Sequence, residues 1–439
     1  MTDTTARDST IGHRPGEAAH QWPSADPELD AVFAEVIGTP EGRKDPYGRY
    51  RRLREAAPVY ASSLGFIVCT RYEECQWVLR DPRLGKEEGD RSEQVAQAYG
   101  HLEIFPKIQE LMEDDRRSLL FLNPPDHTRL RSLVSKAFTP RTVERLRPEI
   151  VRLVDGLLDR IVAGEVTNVM DVLAFPLPAN VISHMLGVPE SDWPRFRAAV
   201  GAASTLIEPI VSDEEMERGL AAQMELDEYF RHLVALRRAA PQDDLLSQLI
   251  AVQEGSDRLS ERELISTVIL LFAAGFETTT NLIGNGLYAL LTHPDQLSRL
   301  RRDLADHPDT AIRAAVEELL RYDSPVQFDG RQAFEDLEIA GVRVEKGGEV
   351  ITVLGAANRD PEHFSDPEEL DLRRDEGPPL SFASGIHYCL GAALARAEGQ
   401  VVFGRLLERF RSIELAGSTP EWKNRITLRG LASLEVVFS

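Results

Sequence analysis

Cysteine is scarce in this chain of 439 residues, which contains only Cys69, Cys75 and Cys389. Three cysteines cannot make a disulfide framework, because any pairing leaves one of them over. The sequence is therefore unlike a small secreted domain held by disulfides, and we expect a reducing, cytoplasmic location.

Long apolar runs are missing too. The longest uninterrupted run, residues 268–276, covers nine residues, whereas a helix needs about 20 to span a bilayer. The amino-terminal residues also lack the charged and then apolar layout of a secretory signal. We therefore expect no membrane span.

Positive charge is not in excess, since the formal net charge is −22 at pH 7. This charge argues against nucleic acid and anionic membrane surfaces as general partners. A dinucleotide-binding or flavin-binding fingerprint is absent as well, because no G-x-G-x-x-G follows a strand within a βαβ unit. Any electrons that the protein needs are therefore expected to come from another protein.

Linkers and internal repeats are also absent, so the sequence predicts a single domain over residues 29–439. Residues 1–28 are polar and follow neither a helical nor a strand period. We predict that they form a disordered or frayed amino-terminal arm.

Helical periodicity dominates the rest of the chain. It is clearest in residues 47–57, 141–163, 192–207, 213–239, 260–292, 311–322 and 390–410. Strand signals are confined to residues 59–69, which read as a hairpin, and residues 337–353. The sequence thus predicts a mainly α fold with small antiparallel β-sheets.

One predicted helix is unusually long. Ser260 and Glu263 have the spacing of a capping box at its start, and apolar periodicity then continues to Leu291, where His293-Pro294 stops it. About 33 residues at 1.5 Å each give a length of roughly 50 Å. A helix so long and so apolar is expected to run through the core.

The segment S-F-A-S-G-I-H-Y-C-L-G, residues 381–391, places Cys389 at the entrance to a predicted helix. Gly385 allows a tight turn, and the free N–H groups at a helix start lower the pKa of a thiol and favour the metal-binding thiolate. The alternative is a buried structural cysteine, while a zinc site would need more ligands than His387 nearby. The residues alone leave the first two interpretations open.

This segment resembles the haem-binding loop F-x-x-G-x-H-x-C-x-G of the cytochrome P-450 family. The resemblance implies that Cys389 is the thiolate ligand of haem b (iron protoporphyrin IX). It also implies that Phe382 packs beside the sulfur and that Gly391 lies in the cofactor loop. A thiolate ligand favours cleavage of the O–O bond of dioxygen. Ala383 departs from the family pattern, which often has a second glycine there, and this raises a question about the local backbone.

Residues 274–279, A-G-F-E-T-T, lie midway along the long helix. Gly275 costs about 1 kcal/mol relative to alanine inside a helix, and threonine hydroxyls compete for the i−4 carbonyl, so the sequence predicts a distortion here. An acid and a hydroxyl in an apolar core suit proton delivery. The alternative is a close helix–helix contact that needs Gly275, with Glu277 paired elsewhere. The segment resembles the family's A-G-x-E-T-T, which implies that Glu277 and Thr278 supply protons to the co-substrate O₂.

Glu318 and Arg321 share a helix face at i,i+3 spacing, which alone is typical of solvated surface pairs. Their position before Ser324-Pro325 resembles the family's E-x-x-R, which implies a structural role completed by a later arginine. Arg359 and Arg374 are both candidates for that arginine.

His127 and Arg131 occupy i,i+4 positions in N-P-P-D-H-T-R-L-R, residues 123–131. An exposed basic helix is the ordinary interpretation. The family's P-P-x-H-x-x-x-R segment supplies haem propionate ligands, so the resemblance implies that role for His127, Arg131, Arg331 and His387. Arginine suits planar carboxylates.

The resemblance also implies partners. Soluble bacterial members of the family take electrons from a ferredoxin and its reductase. Residues 128–147 are a candidate docking segment for an acidic ferredoxin, and a solvated basic helix is the alternative. The segment contains one acid, Glu144, and six basic residues: Arg129, Arg131, Lys136, Arg141, Arg145 and Arg147.

A hydrophobic small molecule is the expected substrate, covered by a lid at residues 206–211, whose apolar content favours such a ligand. By family position, the pocket is lined by Phe276, Val326, Gln327, Phe328 and Leu428. Each of these residues could equally belong to the ordinary core.

The implied function is that of a soluble bacterial cytochrome P-450 monooxygenase. It would insert one oxygen atom from O₂ by hydroxylation or epoxidation, in secondary metabolism or catabolism. A peroxide-dependent, coupling or desaturating enzyme and a haem-binding sensor are the alternatives. Because Glu277 and Thr278 are both present, the sequence favours dioxygen chemistry with turnover.

Overall fold

The computed structural model describes residues 26–86, 105–106, 109, 118–208, 211–253, 259–417 and 419–439. Most of the predicted arm, residues 1–25, lies outside these ranges. The first described helix begins at Pro27, two residues before the predicted domain boundary, and the Asp26 side chain caps it by accepting from the Glu28 N–H. Proline suits this first position because its missing N–H would be unpaired there in any case.

Helices account for most of the described residues. In chain order they are α1 (Pro27–Gly38), α2 (Pro40–Lys44), α3 (Tyr47–Ala56), α4 (Tyr72–Arg80), α5 (Asp126–Val134), α6 (Pro140–Leu158), α7 (Pro176–Leu186), α8 (Trp193–Ala203), α9 (Asp213–Ala239), α10 (Leu245–Gln253), α11 (Glu261–Thr292), α12 (Pro294–Asp306), α13 (Pro308–Tyr322), α14 (Leu354–Ala357) and α15 (Ala392–Arg409). The mainly α prediction is confirmed.

The strands are short. They are β1 (Val59–Ala61), β2 (Phe66–Cys69), β3 (Leu84–Gly85), β4 (Val166–Asn168), β5 (Phe328–Ala333), β6 (Leu337–Ile339), β7 (Val342–Val344), β8 (Glu349–Val353), β9 (Ile413–Leu415), β10 (Glu421–Trp422), β11 (Leu431–Ser433) and β12 (Glu435–Phe438). They form sheets of order β1-β2-β8-β5-β3, β4-β12-β9, β10-β11 and β6-β7.

The predicted hairpin at residues 59–69 is present, with Val59 opposite Cys69 in an antiparallel pair. One pairing differs from the predicted antiparallel pattern, because β2 and β8 run parallel, with Phe66 opposite Glu349. A parallel pair needs a long crossover connection, and here most of the chain lies between the two strands. Local sequence patterns carry no information about such a distant partner.

The long helix is confirmed as α11, the central element of the fold. Ser260 and Glu263 form the predicted capping box, with each side chain bonded to the backbone N–H of the other residue. The helix packs against α7, α9, α13 and α15. It is long and apolar enough to cross a membrane, but 72% of its most apolar 18-residue window is buried within the protein. Among the described helices it is alone in meeting that length and composition test.

Candidate active site

The cysteine loop is built from two short 3₁₀ turns, Leu380–Phe382 and Gly385–His387, that precede α15. The helix begins at Ala392, two residues later than predicted, with Gly391 as its N-cap. Gly385 has φ +72°, and a Cβ there would lie 2.2 Å from the carbonyl oxygen of Leu79. Both its conformation and its close approach to α4 therefore require glycine.

The backbone at Ala383, where the family pattern often has glycine, has an unusual conformation. Its backbone has φ +57° and ψ −156°, a region that is essentially reserved for glycine. Its N–H donates to the Leu380 carbonyl at 2.8 Å, and the Cys389 N–H donates to the Phe382 carbonyl at 3.0 Å. The loop thus keeps the backbone path that a glycine would take, at a cost in strain.

The electrostatics at Cys389 differ from the prediction. The residue is exposed towards the space beside the loop, yet the surrounding protein desolvates the thiolate and raises the pKa of the thiol. The N–H groups of Gly391 and Ala392 and the charges of Arg131 and Arg396 lower that pKa, as expected of a helix start, but they do not outweigh burial. In the protein alone, burial thus works against the thiolate that the helix start favours, and the role of Cys389 as a thiolate ligand stays a prediction.

Aromatic and basic side chains surround the loop. The Arg396 guanidinium lies 4.5 Å from the centre of the Phe382 ring and donates to the Tyr388 hydroxyl at 2.9 Å. Arg131, from α5, donates to the Tyr388 carbonyl next to Cys389. These contacts fix the backbone on the side of the loop that faces α5 and α15.

A buried hydrogen-bond network holds the start of the cysteine loop. The Asn358 side-chain amide donates to the hydroxyls of Ser324 at 2.7 Å and Ser381 at 2.9 Å. The Asn358 side-chain oxygen accepts from the Leu380 N–H at 2.6 Å. Asn358 and the two serines therefore fix where the first 3₁₀ turn begins.

Two predicted propionate ligands come together beside the cysteine loop. The rings of His127 and His387 lie 4.2 Å apart between centroids, and the Nε2 atom of each is buried without a hydrogen-bond partner within the described residues. Burial first, and then neighbouring cations, lower the pKa of His127 to about 4 and that of His387 to about 3. Both imidazoles are thus neutral at pH 7.

Arg331 lies on β5 and is almost fully buried. Its Nη1 donates to Asp329 at 2.6 Å, whereas its Nη2 is buried with no partner among the residues that the structure describes. Lys86 also donates to Asp329, at 2.6 Å. Burial acts to raise the pKa of Asp329, but Lys86 and Arg331 outweigh it and hold that pKa below its usual range. Sequence reasoning missed Lys86, because no local motif marks it.

The structure resolves which arginine joins Glu318 and Arg321. Arg321 donates to both Glu318 oxygens, at 2.7 and 2.8 Å, and Arg374 approaches them at 3.2 and 3.3 Å. Arg359 instead pairs with Glu368 at 2.8 Å and stacks 3.6 Å from the centre of the Tyr47 ring. Arg374 therefore completes the triad.

On α11, the predicted competition for carbonyls is present. The Thr278 hydroxyl donates to the Ala274 carbonyl at 3.0 Å. A Cβ on Gly275 would come no closer than 3.7 Å to Ile182, which is ordinary van der Waals contact. A tight helix contact therefore does not explain this glycine. The other part of the alternative does hold, because Glu277 is paired with Lys423 at 2.5 Å.

The predicted pocket residues have varied surroundings. The Phe276 ring packs edge-on against Phe175 at 4.4 Å between centroids, and Val326 pairs with Leu428 in an isolated antiparallel bridge. Gln327 is buried and donates to the Ser324 carbonyl at 2.7 Å.

The Phe328 ring lies 6.1 Å from that of Tyr50, within the cluster formed by the first helices. For Gln327 and Phe328 these contacts favour a core role, and their contribution to the pocket stays a prediction.

Comparison with known proteins agrees with this architecture. The sequence model of the cytochrome P-450 family matches residues 92–433. The chain is 41% identical over 400 residues to cytochrome P-450 107B1 of Saccharopolyspora erythraea, covering 90% of this chain and 95% of that protein. It is 40% identical over 404 residues to 6-deoxyerythronolide B hydroxylase of the same organism, covering 89% and 96%.

The fold matches as well as the sequence. The crystal structure of ligand-free CYP164A2 from Mycobacterium smegmatis superposes with a TM-score of 0.81 at 40% identity, covering 93% of this chain and all of that one. Because both the family model and these relatives cover most of the chain, the protein belongs to the cytochrome P-450 family of haem-iron monooxygenases, which use dioxygen and draw electrons from redox partners.

Proposed function

We propose that this enzyme binds haem b through Cys389 and inserts one atom of O₂ into a hydrophobic small molecule, by hydroxylation or epoxidation. The observation that carries the proposal is a set of buried nitrogen atoms beside the cysteine loop that have no hydrogen-bond partner among the described residues: His127 Nε2, His387 Nε2 and Arg331 Nη2. Leaving such groups unpaired costs about 1–3 kcal/mol each. Two propionate carboxylates are the groups of this cofactor that such donors would satisfy.

Each residue then has a defined task. Cys389 would ligate the iron, Phe382 would shield the sulfur, and Arg131 and Arg331 would neutralise the propionates together with hydrogen bonds from the two histidines. When bound, a haem with a thiolate ligand activates dioxygen. Asp329 stays ionised between Lys86 and Arg331, so only part of the local positive charge is left for the cofactor.

Thr278 and Glu277 would carry the protons that oxygen activation consumes. The Thr278 hydroxyl donates a hydrogen bond to the Ala274 carbonyl, so its oxygen can accept a hydrogen bond in turn. Glu277 precedes it in sequence, is buried, and would pass on protons that it takes up from solvent. The two groups are proposed to act in succession.

The substrate is proposed to be apolar, of the kind made or degraded in secondary metabolism or catabolism. The predicted lid at residues 206–211, of which residues 209 and 210 lie outside the described residues, is rich in aliphatic residues, and the Leu428 N–H donates to Glu208 in this segment at 3.1 Å. An apolar cavity favours such a ligand by removing its surface from water. The relative named 6-deoxyerythronolide B hydroxylase is consistent with this class.

A ferredoxin, reduced by its reductase in the cytoplasm, is the proposed electron donor. Lys136, Arg141 and Arg145 are exposed on and before α6 and would attract an acidic partner. Arg129, which the sequence also suggested, pairs instead with Glu263 at the start of α11. Lys136→Glu with Arg145→Glu should slow reduction and flatten its salt dependence, whereas an unchanged rate would contradict this docking site.

Two variants test the proposed chemistry. Cys389→Ser should lose the thiolate-type absorption shift of the reduced protein with carbon monoxide, and persistence of that shift would show another ligand. Thr278→Ala should release peroxide in place of product, because protons no longer arrive in order. A fully coupled Thr278→Ala enzyme would refute its role, and product formation from peroxide alone at the parental rate would favour the peroxide-dependent alternative.

A further inference from the structure

A polar stripe runs along one face of the otherwise apolar α11. Glu277, Asn281 and Asn285 stand at i, i+4 and i+8, and all three are buried. The Lys423 ammonium donates to the Glu277 carboxylate at 2.5 Å and to the Asn281 side-chain oxygen at 3.0 Å. The Asn285 amide donates to the Arg429 carbonyl at 3.1 Å. The stripe therefore receives the carboxy-terminal segment that contains Lys423 and Arg429.

The backbone leaves Lys423 little freedom to move. It follows β10, and its N–H donates to the Gly430 carbonyl at 2.9 Å. A Cβ on Gly430 would lie 1.9 Å from the Asn281 side-chain oxygen, so the segment is in direct contact with α11. The Lys423 ammonium therefore contacts Glu277 from a backbone position that these contacts fix.

The same carboxy-terminal segment is hydrogen-bonded to Glu208, in the predicted lid. Glu208 follows the 3₁₀ turn Ser204–Ile207, and its buried carboxylate accepts three consecutive backbone N–H groups. These donors are Ile426 and Thr427, both at 2.8 Å, and Leu428 at 3.1 Å. Glu208 therefore fixes the backbone of residues 426–428, close to Lys423 in the chain.

The ion pair borders an open cleft and is not sealed in the core. The cleft holds about 330 Å³ and is lined by Phe175, Gly201, Ser204, Glu215, Glu277, Lys423, Asn424 and Arg425. The Glu277 side chain is only 7% exposed, so one edge of the carboxylate meets the cleft while the rest is enclosed. Water in the cleft can return a proton to this carboxylate after it has given one up.

We propose that Lys423 is the positioning residue for Glu277: it holds the carboxylate at the wall of the cleft, one residue before Thr278 in α11. The proposal rests on the proposed function, because it takes Glu277 as a proton donor. The carboxylate would first take up a proton from cleft water and then pass it on towards Thr278, which regenerates the carboxylate that Lys423 binds. A purely structural ion pair would only fasten the carboxy-terminal segment to α11.

The test uses the haem-loaded enzyme with Lys423→Gln, Lys423→Arg, Glu277→Gln and the double variant K423Q/E277Q. The substrate is the compound that gives the largest spin-state shift in a panel of terpenoids, fatty acids, steroids and macrolides. The positioning role predicts that K423Q lowers kcat by about tenfold or more, within the range for general acid catalysis. Substrate affinity, read from the spin-state titration, should stay within about twofold, and K423R should recover most of the rate, because only proton transfer depends on the pair. The double variant should match E277Q, because Lys423 acts through Glu277.

Two further measurements separate positioning from attachment. Amide exchange of residues 426–428 should be unchanged in K423Q, since Glu208 still binds those groups. Arg343→Gln is the matched control, because it removes one positive charge from an exposed pair with Asp336 at 3.1 Å, and it should leave kcat unchanged.

Several outcomes overturn the proposal. The first is a parental kcat in K423Q, and the second is a rate loss in the double variant that equals the product of the two single losses. The third is faster amide exchange of residues 426–428 in K423Q together with a kcat that K423R does not restore. If E277Q itself is fully coupled, both the proton role of Glu277 and the positioning role fail; if E277Q uncouples and K423Q does not, only the positioning role fails. Should K423Q not accumulate as folded protein, Asn281→Ala removes the other acceptor of the ammonium, and an unchanged kcat there is equally contrary.

Discussion

Ala383→Gly should stabilise the protein, which is unusual for a substitution of alanine by glycine. Ala383 has φ +57° and ψ −156°, and a non-glycine residue in such a region costs about 1–3 kcal/mol. The native hydrogen bonds from the N–H groups of Ala383 and Cys389 keep it there. Glycine removes the strain, although its extra freedom in the unfolded chain costs about 0.5–1 kcal/mol. The expected net gain is about 1 kcal/mol.

Equilibrium urea unfolding of the haem-loaded protein measures this gain. The midpoint should rise at an unchanged m value, because the area exposed on unfolding is the same. The thiolate-type spectrum with carbon monoxide should also stay the same, since the substitution keeps the backbone path to Cys389. Both observations together would tie the gain to relief of strain.

Ala395→Gly in α15 is the matched control. It makes the same chemical change at a helical position, where glycine costs about 1 kcal/mol, so its midpoint should fall. If Ala383→Gly lowered the midpoint as Ala395→Gly does, the strain at residue 383 would not exist and the reasoning would be refuted.

Two other predictions concern buried charges. Arg374→Met should lower the free energy of unfolding by about 2 kcal/mol, and Arg321→Met by roughly 4 kcal/mol, because Arg321 binds Glu318 at shorter distances. Arg373→Met, which breaks an exposed pair with Asp303, should lower it by less than about 1 kcal/mol. Equal losses for Arg373→Met and Arg374→Met would contradict the triad. Burial raises the pKa of Glu398 well above its ordinary value, so its contribution to stability is complete below the unfolded pKa of about 4.3 and is lost as pH rises, by about 1.4 kcal/mol per unit until the folded pKa is reached. Glu398→Gln should therefore flatten the fall in unfolding free energy as pH rises above about 5, and identical slopes in the two proteins would exclude a protonated Glu398.

Local features of the fold were predictable from the sequence. The capping box of Ser260 and Glu263 and the tight turn at Gly385 depend on residues close together in the chain, so their patterns are legible in a single sequence. The unusual backbone at Ala383 was also indicated by the sequence, because the family pattern often has glycine at that position, and glycine tolerates a positive φ.

Long-range pairings were not predictable. Arg359 and Arg374 both stand near the right place in sequence, and only the folded chain shows that Arg359 is occupied by Glu368 and Tyr47. Lys423 is 146 residues from Glu277, and no periodicity connects them. The pKa of Cys389 also depends on how much protein surrounds it, which a helix-start argument omits.

Glu208 recognises the turn at residues 426–428 only through main-chain N–H groups. These three hydrogen bonds therefore do not depend on which side chains stand at residues 426–428, although the Ile426 and Leu428 side chains are themselves buried. Proline is the exception, because it lacks the N–H group and would remove one of the three donors. Exchange of residues 426–428 is thus limited by the packing of Ile426 and Leu428 and, proline apart, not by the hydrogen bonds to Glu208.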